Sequence, residues 1–138
     1  MTHRAALVTG ANGGIGSAVR ERLRADGMTV LTLDIAGPAD LTLDVARDPL
    51  PEAVLAGVDV CVCNAGIVDT IARAHRMTDE QWNGDLQVNL TGAFRVARAC
   101  LAGMRERGWG RIIWSPISPR TGPPTSRRRR SRSPAASA

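Results

Sequence analysis

Short apolar runs alternate with longer periodic stretches along most of this chain. Ala5–Thr9, "AALVT", is a continuous apolar run that predicts a buried strand. Gly14–Ala25, "GIGSAVRERLRA", instead repeats its apolar residues every four positions, at Ile15, Val19 and Leu23. Arg20, Arg22 and Arg24 fall largely on the wetter side, so this stretch predicts an amphipathic helix that stops at Gly27. Met28–Leu33 predicts a second strand, Leu41–Val45 a short third and Val58–Cys63 ("VDVCVC") a fourth. The longest helix is expected from Asp79 to Arg107, with Thr78 as N-cap and Gln81 completing a capping box. Its apolar stripe is Trp82, Leu86, Leu90, Ala93, Phe94, Ala97, Leu101 and Met104. Gly108 and Gly110 end it before a fifth strand, Arg111–Trp114. Strands alternating with helices imply an α/β fold, a parallel sheet covered by helices on both faces.

Two connections are short for such a fold. Six residues separate Asp34 from Leu41, too few for a crossover helix. Extended, they reach roughly 20 Å, which predicts a short edge strand reached by a loop. The next crossover, Ala46–Gly57, has room for two helical turns around Pro51–Ala56.

The pattern breaks at residue 115. Pro116 and Pro119 cannot donate to a sheet ladder. Residues 115–138 hold five Pro, six Arg and six Ser, with one large aliphatic residue and no aromatic. Such a composition predicts a disordered tail. Its origin has three readings: a natural basic tail, a linker, or out-of-frame translation of GC-rich DNA. The last is favoured, because the change falls inside an element pattern.

Charge follows the same division. The 138-residue chain carries a net charge of +5, and all 18 of its basic residues are arginine. Twelve of those lie in residues 1–114 against 13 acidic residues, so the basicity belongs to the tail. That location argues against a nucleic-acid-binding fold. Three cysteines make no disulfide framework, and Cys61 and Cys63 share one face of a strand. Buried, reduced thiols in a cytoplasmic protein are expected, with no metal site. No secretory h-region or membrane-length apolar run stands in the sequence.

The chemistry begins at "TGANGGIG", Thr9–Gly16, between the first strand and the first helix. A helix N-terminus offers unpaired N–H groups and a positive dipole end, which suit a pyrophosphate. Gly10 permits a tight turn, Gly14 lets the backbone come close to a ligand, and Gly16 lets helix and strand pack closely. Without a ligand this is a glycine-rich turn. Asp34, 18 residues after Gly16, ends the second strand where a carboxylate can accept hydrogen bonds from an adenosine ribose. Alone, it is an ordinary turn aspartate. The two signals together favour the ligand.

From these residues the chain resembles the short-chain dehydrogenase/reductase family. Glycines 10, 14 and 16 follow that family's T-G-x-x-x-G-x-G spacing. "LDV", Leu43–Val45, resembles the segment whose aspartate contacts the adenine, here Asp44 beside Val45. "CNAG", Cys63–Gly66, resembles the family's N-N-A-G, with Cys63 in place of the first asparagine and Asn64, Ala65 and Gly66 lining the cofactor cleft. "VNLTGAF", Val88–Phe94, matches the long-helix motif, whose asparagine, here Asn89, holds a water in the proton relay. Residues 5–114 carry the likeness. It implies a Rossmann-type doubly wound parallel sheet, truncated after the fifth strand, so that 1–114 form a partial dinucleotide-binding domain. The implied cofactor set adds Asn12, Gly13 and Ile15 to the residues above.

The resemblance also implies hydride transfer between a nicotinamide and an alcohol or carbonyl carbon. The family performs it with a tyrosine, a lysine four residues later, and a serine. This chain has no tyrosine and no lysine, and only Ser115 and Ser118 stand near the place of the serine. Arginine stays protonated and has no phenol, so it cannot replace the pair. The chain is therefore expected to be an inactive form of an NAD-dependent oxidoreductase. The alternative is a non-catalytic dinucleotide-binding fragment whose basic tail contacts nucleic acid. NAD is expected over NADP, because Asp34 repels a 2′-phosphate and neither the glycine loop nor Ile35 supplies a cation. The expected partners are those of the full-length family, an alcohol or ketone and a homo-oligomer.

Overall fold

The computed structural model describes residues 3–67 and 72–115. The expected tail over 116–138 and the candidate Ser118 lie outside the described residues. Strands β1 (Ala5–Thr9), β2 (Thr29–Asp34), β3 (Leu41–Thr42), β4 (Val60–Cys63) and β5 (Arg111–Trp114) form one parallel sheet in the order β3-β2-β1-β4-β5. The chain winds outward from β1 to β3, then crosses back to β4 on the other side of β1. Connections leaving β1 and β4 therefore part in opposite directions, which opens a crevice at their carboxyl ends.

Alternation along the strands divides the core in two. Ala6 and Val8 of β1 face one side with Val30, Val60 and Val62. Val19 and Leu23 of helix α1 (Gly14–Ala25) cover that side. Leu7 faces the other side with Leu33, Cys61 and Cys63. There Leu55 of α2 (Glu52–Leu55) and Val96, Ala97, Cys100 and Met104 of α4 (Ala93–Glu106) pack on the sheet. Fully burying a Leu-sized side chain contributes about 1.5–3 kcal/mol, and Leu7, Leu55 and Val96 are all completely enclosed. Both faces of the central strands are covered, so the doubly wound reading holds.

Several boundaries differ from the sequence expectation, each for a local reason. Strand β2 starts at Thr29 and not Met28, because the Met28 N–H bonds the Leu23 carbonyl in a Schellman-type ending of α1 at Gly27. It runs one residue further than expected, through Asp34. Strand β3 stops at Thr42 and does not reach Val45. Beyond it the Asp44 carboxylate accepts the Ala46 N–H, and the Arg47 and Asp48 N–H groups close on the Asp44 carbonyl. That turn pulls the chain out of the sheet. Strand β4 begins at Val60, since the Val58 N–H is taken by Leu55 at the end of α2. The second crossover holds one helical turn, Glu52–Leu55, in place of two. The loop leading to a short edge strand β3 is as expected.

The long helix is the largest correction. It is not one α-helix over 79–107: α3 (Asp79–Leu86) passes into a π-helical turn, Gln87–Gly92, and then into α4. The expected Thr78–Gln81 capping box starts it. A π turn holds more residues per turn than an α-helix and shifts the phase of the helix beyond it. Ala93, Ala97 and Met104 of the expected stripe are buried, joined by Val96 and Cys100. Trp82, Leu90, Phe94 and Leu101 are exposed instead.

Candidate nucleotide-binding site

The carboxyl ends of β1 and β4 are locked together by Thr9 and Asn64. The Thr9 Oγ1 accepts the N–H of Asn64 at 3.0 Å and of Ala65 at 2.9 Å. The Asn64 amide donates back to the carbonyls of Thr9 and Gly10. Both side chains are buried, and from sequence Thr9 stood only as the start of the glycine motif. Asn64 Oδ1 is buried without a hydrogen-bond partner among the described residues. A buried acceptor in that state is under-satisfied.

The glycine loop is shaped by two backbone demands. Gly10 has φ of +63°, a left-handed conformation that favours glycine. A Cβ on Gly16 would run into the Gly10 carbonyl oxygen, so the first turn of α1 can lie against the loop only without a side chain there. At Gly14 a Cβ would meet nothing, which leaves open space over the helix end. Gly13 is the N-cap, and no side chain caps α1. The positive end of the helix is left to other acceptors.

Asp34 closes the loop from the side. Its Oδ2 accepts the Asn12 N–H at 2.9 Å and its Oδ1 the Ala36 N–H at 3.2 Å, while the Asn12 amide donates to the Ala36 carbonyl. The carboxylate has roughly four acceptor directions, so these two bonds leave it capacity for more.

These groups surround a cavity of about 530 Å³, the size of an ordinary small-molecule site. Its walls include Gly10, Asn12, Gly13, Asp34, Asp44, Val45, Asn64, Ala65 and Gly66, nine of the residues singled out from sequence. Gly14, Ile15 and Gly16 stand beside it at the start of α1 and do not line it. Leu33, Ile35, Leu43, Arg47, Ile67 and Val88 complete the lining; Leu43 and Val88 open the LDV and VNLTGAF motifs without having been assigned to the site, and Leu33, Ile35, Arg47 and Ile67 lie outside every motif. Arg47 changes the picture most. The expectation of NAD over NADP rested on repulsion by Asp34 and on the lack of a cation in the glycine loop or at Ile35, and Arg47 places a cation on this wall.

Asn89 sits within the π turn and reaches across to the chain after β4. Its Oδ1 accepts the Ile67 N–H at 2.7 Å, and its Nδ2 donates to the Ile67 carbonyl at 2.8 Å. Both ends of the amide are thereby used on one backbone unit. Cys63 turns away from the cleft into the α4 side of the core, with its thiol 3.6 Å from the Ala93 carbonyl and 3.6 Å from the Cys61 sulfur. Contacts with the Cys100 and Cys63 sulfurs, then burial, push the Cys61 thiol up, whereas the Cys61 hydrogen bond holds Cys63 down. All three cysteines are free and buried. The Ser115 N–H bonds the Cys63 carbonyl, which sets this residue at the same end of the sheet as the cavity.

The site's relatives are consistent among themselves. A family model described as short chain dehydrogenase matches residues 39–118. An acetoacetyl-CoA reductase of Shinella zoogloeoides is 37% identical over 129 residues, which cover 80% of this chain and 53% of that protein. A 3-oxoacyl-(acyl-carrier-protein) reductase of Vibrio cholerae is 37% identical over 131 residues, with the same coverage of 80% and 53%. Among solved structures, a protein from Beutenbergia cavernae described as an NAD(P)-dependent gluconate 5-dehydrogenase, with NADP bound at low occupancy, superposes with a TM-score of 0.71. It is 30% identical and covers 81% of this chain and 53% of its own. The present chain spans about half the length of the relatives it matches.

Proposed function

This chain belongs to the short-chain dehydrogenase family, and from that premise we propose that it is the NAD-binding half of an oxidoreductase acting on alcohols or carbonyl compounds. One observation carries the proposal. The glycine loop, Asp34, the Asp44–Val45 turn and Asn64–Gly66, four separate stretches of sequence, meet around one cavity.

The residues present fit a dinucleotide. The open face over Gly14 and the uncapped end of α1 suit the pyrophosphate. The unused acceptor capacity of Asp34 suits a ribose hydroxyl pair, and the wall at Asp44 and Val45 suits the adenine. Asn64 Oδ1, buried and unpartnered among the described residues, suits a donor from the ligand. When bound, the nicotinamide supplies or accepts the hydride. Asn89 holds the backbone at Ile67 and so fixes the far wall of the cavity. The proposed substrate of the whole protein is a carbonyl compound of the kind its acetoacetyl-CoA and 3-oxoacyl reductase relatives are named for. This chain supplies no tyrosine or lysine for the proton, so by itself it binds the cofactor and does not turn over. General acid–base catalysis is worth about 10²–10⁴-fold, and its absence leaves negligible rate. The proposed compartment is the cytoplasm, which the free thiols suit. No described helix is long and apolar enough to cross a membrane.

Fluorescence titration of the purified chain with NADH and NADPH tests this. NADH is expected to bind at least about tenfold tighter, about 1.4 kcal/mol, because the Asp34 carboxylate at the end of β2 repels a 2′-phosphate. Asp34→Arg is expected to narrow or reverse the preference. Tighter NADPH binding by the unaltered chain overturns the NAD assignment, and binding of neither overturns the function.

A further inference from the structure

The turn after β3 carries Asp44 and Val45 into the cavity, yet it belongs to no helix or strand. Its inner hydrogen bonds are local: the Asp44 carboxylate accepts the Ala46 N–H, the Asp48 carboxylate accepts the Asp44 N–H, and the Asp44 carbonyl accepts from Arg47 and Asp48. Those bonds close the turn on itself but do not fix it to the rest of the fold. Its other carbonyls point toward the long helix. Arg95 of α4 donates one guanidinium nitrogen to the Val45 carbonyl and another to the Asp48 carbonyl, both at 2.6 Å. Gln87 of the π turn reaches the Ala46 carbonyl at 3.4 Å. Val45 and Ala46 are buried, so those carbonyls have little recourse to water.

We propose that Arg95 is a positioning residue for the adenine end of the cofactor, acting through the Asp44–Asp48 turn. Arg95 does not itself line the cavity; it holds the wall residue Val45 from behind. The guanidinium suits this task because its rigid fork spans two acceptors three residues apart, and a charged donor makes strong bonds to carbonyls. A flexible ammonium reaches one of them. The inference rests on the dinucleotide reading of the cavity, and it assigns to the long helix a second role beside that of Asn89.

The test compares Arg95→Met and Arg95→Lys with the unaltered 138-residue chain in two measurements. Binding of NAD and of 5′-AMP is followed by calorimetry, and backbone amide exchange is followed at residues 47 and 48 and in β1. Arg95→Met is expected to weaken NAD and 5′-AMP by the same factor, about tenfold, the scale of a lost charged hydrogen bond. Exchange at Arg47 and Asp48 should accelerate while Leu7 and Val8 stay protected, and Arg95→Lys should recover part of both effects. Unchanged 5′-AMP affinity in Arg95→Met overturns the inference, as does an equal loss of protection in β1, which means general destabilisation. An unaltered chain that binds neither ligand overturns the dinucleotide reading itself. In that case accelerated exchange confined to residues 47 and 48 still supports the clamp, and its absence overturns the clamp too.

Discussion

The two edges of the sheet end in different ways. At the β3 edge the ladder shrinks to two residues, and side chains take over the work of a neighbouring strand. Asp40 accepts both the backbone N–H and the hydroxyl of Thr32, and the Thr32 hydroxyl in turn accepts the Asp40 N–H. The outer side of β2 is thus capped by a carboxylate within its own chain. At the β5 edge four residues pair with β4 in full register, and all four are exposed. Ile112, Ile113 and Trp114 stand 37%, 49% and 41% exposed, and on the long helix Trp82, Phe94 and Leu101 are uncovered as well. One edge ends in a two-residue strand, with a carboxylate taking the place of a partner at Thr32. The other keeps an apolar strand with no neighbour on its outer side among the described residues, the arrangement that invites association.

Three measurements would break or sharpen this contrast. The largest effect is expected in the core. Leu7→Ala, at a side chain with no exposure, should cost about 2–5 kcal/mol in urea unfolding. Ile113→Ala on β5 should cost about 0.5 kcal/mol or less, as exposed positions do. Equal losses would show the β5 edge to be covered in solution. Next is self-association: Phe94→Ser with Ile113→Lys should bring the light-scattering mass toward the 14.7 kDa of a single chain. An unaltered chain that is already monodisperse at that mass, with a sharp melt, would show that this face needs no cover.

The smallest effect is a pH dependence at the β3 edge. Hydrogen bonds from the Thr32 hydroxyl and then its backbone N–H hold the Asp40 carboxyl below the usual carboxylate range. Its value is thus lower folded than unfolded. The stabilisation is complete above the ordinary aspartate value of about 3.9, and it is lost as pH falls through the lower folded value. The Thr32 amide resonance should move over that acid range, and Asp40→Asn should flatten its titration. A Thr32 resonance indifferent to acidification from neutral pH through that range would mean that the cap does not form.

Much of the fold was legible because the periodicities are local. The apolar run at Ala5–Thr9 and the four-residue repeat of Ile15, Val19 and Leu23 report the covered side directly, one element at a time, whereas Arg111–Trp114 forms the expected strand but stays exposed. The glycine loop was legible for the same reason, since a positive φ at Gly10 and a forbidden Cβ at Gly16 are demands that few residues other than glycine meet. Asp34 could be placed by its position at the end of a strand, and Asp44 by the likeness of Leu43–Val45 to the family's segment. Nothing local marks Arg47, Arg95 or Asp40, because each acts on a group that only the fold brings near.

The sequence by itself determined the alternation of strands and helices, the parallel sheet, the position of the glycine-rich turn, and the lack of a tyrosine–lysine pair. Tertiary structure decided where those elements stop and which side chains meet. The Asp44 turn ended β3 early, the Schellman ending of α1 took Met28 from β2, and a π turn around Asn89 divided the expected single helix. The physical reason is one of range. Propensity and periodicity act between residues a few positions apart, whereas a hydrogen bond such as that between Arg95 and Val45, 50 residues apart, exists only once the chain has closed on itself.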